Sequence, residues 1–259
     1  MTDDDNAALH VNGVRINRYI SSSGYCSRRE ADTFVAEGIV TIDGNPAEPG
    51  SKVLPGQVVK VGGEPILPDE NLIYIALNKP LGITCTTDRR DESNVIDYLG
   101  MDKRVFPIGR LDKMSTGLLL LTNDGAIVNR LLRAEGRHEK EYLVEVNKPL
   151  TEEFISAMQS GVPILDTVTL PCKVIQVGPS TFRILLTQGL NRQIRRMCEY
   201  LGYSVRRLKR TRILNIDLGT LPMGEWRRLT MKEIRDLKAL TDPTYSKARR
   251  RSSRDTSSS

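Results

Sequence analysis

The chain has 259 residues, 39% of them hydrophobic and 27% charged, with 38 basic against 32 acidic side chains and a net charge of +6. That length exceeds one ordinary domain and the composition supports a packed core, which excludes a minimal module and wholesale disorder. The longest apolar runs, such as 73–77 and 118–121, fall short of the roughly 18 residues a membrane span needs, so no membrane segment is expected.

Residues 1–13 open with Asp3, Asp4 and Asp5 and lack periodicity. A flexible arm is expected there and, without a basic-then-apolar secretory signal, a cytoplasmic protein. A compact unit is predicted over 14–61. Ile16, Tyr19 and Ile20 stand at helical spacing, and Ser27 with Glu30 forms a capping-box pattern ahead of Ala31, Phe34 and Val35. Gly38 sits where a helix end favours a left-handed residue. A strand at 39–42, the turn Asp43-Gly44 and a strand at 58–61 complete two short helices and a small antiparallel sheet. Arg15, Arg18, Arg28 and Arg29 occupy positions the apolar stripe leaves to solvent. Residues 62–71, with Gly62-Gly63, Pro65 and Pro68, read as a linker.

From 72 to 241 short strands dominate, with helices predicted at 126–132, 152–158, 193–201 and 232–240. Alternation marks Tyr142, Val144 and Val146 on one strand, Phe182, Ile184 and Leu186 on another, and Leu214, Ile216 and Leu218 on a third. The fold class is therefore α+β, with a mostly antiparallel mixed sheet flanked by helices. No glycine-rich nucleotide fingerprint or phosphate loop occurs, and Cys26, Cys85, Cys172 and Cys198 form no C-x-x-C pair, so no cofactor and no metal are expected. The Ser- and Arg-rich stretch 242–259, with Lys247, Arg249, Arg250, Arg251 and Arg254, is expected to be a flexible tail.

Charge is unevenly placed. Between Arg192 and Arg212 eight basic side chains stand against Glu199 alone, an excess larger than that of the whole chain. Such clustering points to a polyanion, nucleic acid first, although a solvated face has the same signature. Aromatic content of 5% argues against reading long single strands by stacking and favours a folded RNA. With only His10 and His138 present, catalysis falls to carboxylates, tyrosines or arginines. Asp112 is the candidate, a carboxylate on a turn between two apolar strands with Arg110 and Lys113 beside it, although spacing alone leaves a structural ion pair open.

Two sets of motifs sharpen this reading. R-x-x-R-Y-I-x-x-x-G-x-x-S-R-R-E-A over 15–31, followed by G-x-V-x-x-D-G over 38–44, resembles the S4 RNA-binding domain. G-R-L-D-K-x-S-x-G-L-L-L-L-T-N-D-G over 109–125 resembles the catalytic signature of the pseudouridine synthases, with Asp112 at the position of their nucleophilic aspartate. Lys79-Pro80-Leu81-Gly82, Lys140-Glu141-Tyr142, the arginine-bearing 188–197 and Gly224-Glu225-Trp226-Arg227 match further elements of that family in order. An S4 domain ahead of such a catalytic domain marks the small-subunit-synthase-like group, and 104–112, 138–142 and 161–165 most resemble its large-subunit ribosomal RNA enzymes.

The resemblance implies isomerisation of uridine to pseudouridine in structured RNA, most of all 23S ribosomal RNA, without a cofactor; a monomer is the default expectation, with the oligomeric state left open. Transfer RNA as substrate, or a non-catalytic RNA-binding or ribosome-assembly protein, are the alternatives. It further implies that Tyr142 stacks on a flipped uracil and assists proton transfer, that Arg195 pairs with Asp112, and that Leu214 walls the base pocket. A core tyrosine, a rim phosphate contact and a core leucine are the competing roles. Lys79, Arg110, Arg192, Arg196, Arg206, Arg207, Lys209 and Arg210, with the four arginines of the first unit, are expected to hold RNA backbone. For each of them surface solvation is the alternative.

Overall fold

The computed structural model describes residues 13–69, 71–132 and 138–242. Most of the two expected arms, with His10 and the basic tail cluster, lies outside these residues. The chain forms two compact units that divide after Leu72.

In the first unit a short strand, β1 (Val14–Arg15), pairs with β4 (Lys52–Val53) and leads into helices α1 (Ile16–Ser22) and α2 (Arg28–Ala36). The capping box forms as its sequence predicts: Glu30 N donates to Ser27 Oγ at 3.2 Å and Ser27 N donates to Glu30 Oε2 at 2.7 Å. Ile16, Ile20, Ala31 and Val35 bury the inner faces of the helices against Val40, Val59 and Val61. These valines belong to an antiparallel sheet of order β3 (Asn45–Pro46), β2 (Val40–Ile42), β5 (Val59–Val61), β6 (Glu64–Ile66). Asp43 and Gly44, both at positive φ, make the tight turn between β2 and β3. Strand β6 falls within the stretch expected as a linker. The glycine pair there makes a hairpin turn that sends the chain back along β5 and buries Ile66.

The second unit is built on one mixed sheet of order β13 (Lys173–Gly178), β14 (Thr181–Leu186), β10 (Lys140–Val146), β15 (Val205–Ile213), β9 (Thr116–Thr122), β7 (Tyr74–Lys79), β17 (Trp226–Arg228). Strand β8 (Phe106–Ile108) pairs with β9, and β16 (Ile216–Asp217) pairs with β15. All these pairs are antiparallel except β15 with β9, which run parallel through Lys209–Thr116 and Arg210–Gly117. Small ladders such as β11 (Pro163–Ile164) with β12 (Thr167–Val168) fill the connections.

Helices cover the sheet where its strands are apolar. One core joins Val144, Phe182, Ile184 and Leu208 to Phe154 and Met158 of α5 (Glu152–Ser160) and to Ile194 and Met197 of α6 (Gln193–Tyr200). A second joins Leu118 and Leu120 to Ile127 of α4 (Gly125–Leu132) and Leu237 of α7 (Met231–Leu240). A third joins the opposite side chains, Leu119 and Leu121, to Leu111 and to Val95 of α3 (Val95–Leu99). The alternation expected through Leu214, Ile216 and Leu218 is instead a reversal: Leu214 takes φ +51° and the chain turns so that β16 pairs back on β15. Five-residue α3, capped by Asn94 Oδ1 through the N–H groups of Ile96 and Asp97, is too short to leave a periodic signal. Among the described residues no helix is long and apolar enough to cross a membrane.

Candidate active site

Asp112 lies on the loop between β8 and β9, in a turn closed by Ser115 N donating to the Asp112 carbonyl at 2.9 Å. Its side chain is about one third exposed, 36%. Three cationic side chains hold the loop by its carbonyls. Lys79 Nζ donates to Pro80 O and Ile83 O at 2.8 Å each and to Lys113 O at 3.4 Å. Arg195 Nη2 donates to Met114 O at 2.8 Å and to Ser115 Oγ at 3.3 Å. Arg210 reaches both flanks, with Nε on Leu118 O at 2.7 Å and Nη1 on Arg110 O at 3.3 Å. Charge-assisted bonds of this kind are stronger than neutral ones and fix the loop in register with the sheet.

The structure brings Arg195 to Asp112, with Nε 3.9 Å from Oδ2. Helix geometry explains the selection. Arg192 at φ +49° starts α6, Arg196 folds back onto Asn191 through Nε and Nη2, and Arg195 alone faces the Asp112 loop. Burial pushes the Arg195 guanidinium below its ordinary pKa, and the charge of Asp112 acts against that shift. Its Nε and the Nη2 of Arg210 are buried and without a hydrogen-bond partner among the described residues.

Tyr142 stands opposite Arg210 across β10 and β15 and is half-buried. It leans on two cores at once, the Val144 group and the group that contains Leu111, the residue before Asp112. Lys140, two residues earlier on the same side of the strand, donates to His138 O at 3.0 Å; burial, then the Arg210 charge, push its ammonium down to about 8. His138 is itself buried, its Nε2 3.0 Å from Arg130 O, and burial holds its pKa below the ordinary value.

Several expected RNA contacts need correction. Lys79 is wholly buried and its ammonium is consumed by carbonyls, because it ends a strand whose every residue is buried. Arg210 is 2% exposed and likewise internal. Strand alternation divides the basic run. Lys209 and Arg207 pair with Leu143 and Glu145, so they leave the sheet on the side away from Tyr142, and Arg207 lies 3.5 Å from Glu145. Arg206, on a bulge, is exposed, as are Arg110 and Arg192; Arg196 is half-buried. Leu214 leans on the core of Leu118 and Ile127, whereas Tyr142 leans on the other two, so the two side chains join no common cluster. In the first unit Arg15, Arg28 and Arg29 are exposed and Arg18 half-buried. Partial burial, then the charge of Arg18, push the Arg28 guanidinium down, which marks the two as neighbours of like charge.

Sequence reading missed the clamp. Ser115 and Lys79 stand in the quoted motifs, but the motifs do not tell that Ser115 and the carbonyl-binding Lys79 and Arg210 hold the loop from inside; the apolar residues flanking Lys79 in its strand are a usable signal of its burial. Gly117 has a sharper one. It takes φ +101°, and a Cβ there would fall 2.2 Å from Arg210 O, so only glycine lets β9 approach β15 next to the Asp112 loop.

Comparison with known proteins follows the same division. The S4 domain family matches residues 14–59 and the RNA pseudouridylate synthase family residues 73–200. Over 243 residues the chain is 55% identical to the dual-specificity RNA pseudouridine synthase RluF of Escherichia coli strain K12, which covers 93% of this chain and 84% of that one. It is 33% identical over 237 residues to the ribosomal large subunit pseudouridine synthase B of Bacillus subtilis strain 168, covering 88% of this chain and 97% of that one. A crystal structure of pseudouridylate synthase aligns with a TM-score of 0.63 at 28% identity, over 86% of this chain and 99% of the other. With both units matched in order, the chain belongs to the S4-domain-bearing RNA pseudouridine synthases, enzymes that isomerise uridine within RNA.

Proposed function

We propose that this enzyme isomerises a uridine of 23S ribosomal RNA, acting as a cytoplasmic monomer, with Asp112 as the nucleophile. The observation that carries this reading is the carboxylate itself, partly open to solvent on a loop held by the buried Lys79 and Arg210 and the partly buried Arg195, with Arg195 Nε 3.9 Å away. A rigid, charge-lined setting of this kind suits a group that must meet a base taken out of its stack. In the isomerisation the bond from N1 to C1′ breaks, the base turns, and C5 bonds to C1′. C5 gives up its hydrogen as a proton, and N1 takes one up. Tyr142, opposite Arg210, supplies a ring for the turned uracil and a hydroxyl for proton transfer. The exposed arginines of the first unit hold phosphates.

Large-subunit ribosomal RNA is favoured by the Bacillus subtilis relative, a ribosomal large subunit pseudouridine synthase. Transfer RNA is a second substrate class to test, since the RluF relatives are described as dual-specificity enzymes. The experiment incubates the native protein and Asp112→Asn with protein-free 23S RNA, and in parallel with transfer RNA, each carrying 5-tritiated uridine. Native protein releases tritium as C5 loses its hydrogen, and the variant does so at least about a thousandfold more slowly. Release at an undiminished rate by Asp112→Asn rejects the nucleophile. No release from either RNA by native protein rejects the synthase reading in favour of an RNA-binding role.

A further inference from the structure

The loop at 84–94, between β7 and α3, carries charge that the site above leaves unused. It and the segment leading into it, 82–83, are tied to the Asp112 turn at three points. Gly82 N donates to Lys113 O at 3.0 Å, Lys79 Nζ bridges Ile83 O and Lys113 O, and Lys113 Nζ donates to Ser93 Oγ at 3.0 Å. Its two ends meet at the bridge Thr84–Asn94. Between them the loop is stiffened by its own side chains, with Asp88 N on Thr86 Oγ1, Arg90 N on Asp88 Oδ1 and Ser93 N on Asp91 Oδ1. At its tip stand Arg89 and Arg90, whose side chains are 82% and 91% exposed.

Arg89 lies four residues from Ser93, hence at most about 14 Å along the chain from the anchor beside Asp112. That is the span of about four stacked nucleotides at ~3.4 Å each. Both guanidiniums now face carboxylates, Arg90 on Asp88 at 2.6 Å and Arg89 near Asp97 at 3.9 Å. Ion pairs so exposed are weak and screened by salt, and a phosphate oxygen replaces the carboxylate without loss of geometry.

We propose that the 84–94 loop is an RNA-gripping arm, in which Arg89 and Arg90 bind phosphates of the nucleotides flanking the uridine held at Asp112. The arm rests on the synthase reading above. Because the loop is pinned to the catalytic turn, phosphates bound at its tip fix the register of the strand relative to Asp112.

The test compares the native chain with Arg89→Ala/Arg90→Ala and with the charge-keeping Arg89→Lys/Arg90→Lys. Tritium release is measured against RNA concentration. RNA affinity is measured against salt with each pair of substitutions placed on Asp112→Asn. The alanine pair is expected to raise KM about tenfold, with kcat within twofold, and to flatten the slope of log Kd against log salt by about 1.4, at ~0.7 per single-strand phosphate. The lysine pair recovers most of both. A native chain that turns over, beside an alanine pair with unchanged KM and slope, overturns the arm and leaves the synthase intact. A native chain that releases no tritium overturns the synthase reading and the arm with it.

Discussion

The two units use arginine in opposite ways. In the first, Arg15, Arg28 and Arg29 lie in solvent around a core of small aliphatic residues, and Arg18 and Arg28 stand as like charges side by side. In the second, Arg195 and Arg210 reach inward and spend their donors on carbonyls of the Asp112 loop, with Lys79 beside them. The first arrangement leaves charge free for a polyanion. The second converts charge into position, since a buried cation whose hydrogen bonds are met by backbone carbonyls holds those carbonyls in place. A count of basic residues along the chain does not separate the two uses.

The contrast breaks most visibly at Arg210. Arg210→Met keeps volume but removes both clamps, on Arg110 O and Leu118 O. The expected result is a fall in kcat of about a hundredfold and a loss of about 3 kcal/mol in urea unfolding, from two charge-assisted bonds. RNA affinity should change little. A variant that lost affinity and kept kcat would return Arg210 to the class of phosphate contacts. Gly117→Ala tests the same join from the other strand. Its Cβ would meet Arg210 O at 2.2 Å at a φ of +101°, so the strands must part. Destabilisation of about 3 kcal/mol is expected, with activity lost in step.

The difference also explains what was legible in the sequence. Helix positions in both units follow from capping and periodicity: α2 forms behind Ser27, and α5, α6 and α7 fall on the stretches expected at 152–158, 193–201 and 232–240, with Thr151 and Thr230 caps that only the structure shows. The meeting of Arg195 with Asp112 was readable because their motifs resemble a family's and because the neighbours of Arg195 in the helix are apolar or face away. Lys79 and Arg210 were misread as surface cations, because their burial depends on which strands pair. That pairing is set by β9 running parallel to β15, with partners such as Gly117 and Arg210 lying 93 positions apart, which no local pattern records. Leu214 was misplaced for a related reason, since apolar alternation continues through a hairpin turn as readily as through a strand. The division of Arg207 and Lys209 from Arg210 was, by contrast, available from alternation alone.

Lys140 sharpens the contrast through pH. Burial and Arg210 push its ammonium from 10.5 down to about 8. Between about 8 and 10.5 the unfolded chain keeps a proton that the folded one has released, so stability rises with pH across that window and the penalty is fully present below it. Comparison of urea unfolding for native protein and Lys140→Met at pH 7.5, 9 and 10.5 isolates this contribution. The native chain should gain on the order of 1 to 2 kcal/mol relative to the variant, allowing for partial exposure. A flat difference would mean that the ammonium is not strained by its surroundings.

The first unit should give the smallest effect per residue. Exposed arginines contribute through screened attraction, so each of Arg15→Ala, Arg18→Ala, Arg28→Ala and Arg29→Ala is expected to weaken RNA binding only about twofold at 0.15 M salt. All four together should weaken it about tenfold and lower the slope of log Kd against log salt by about 3, if each releases a counterion from a single-strand phosphate. The unit should keep its fold throughout, because its core of Ile16, Ile20, Ala31 and Val35 includes none of these side chains. Circular dichroism checks the fold and filter binding over a salt series checks the slope. A single arginine whose loss costs tenfold by itself would mean that this face is read by specific geometry, as the second unit is, and the distinction between free and positional charge would then run within each unit rather than between them.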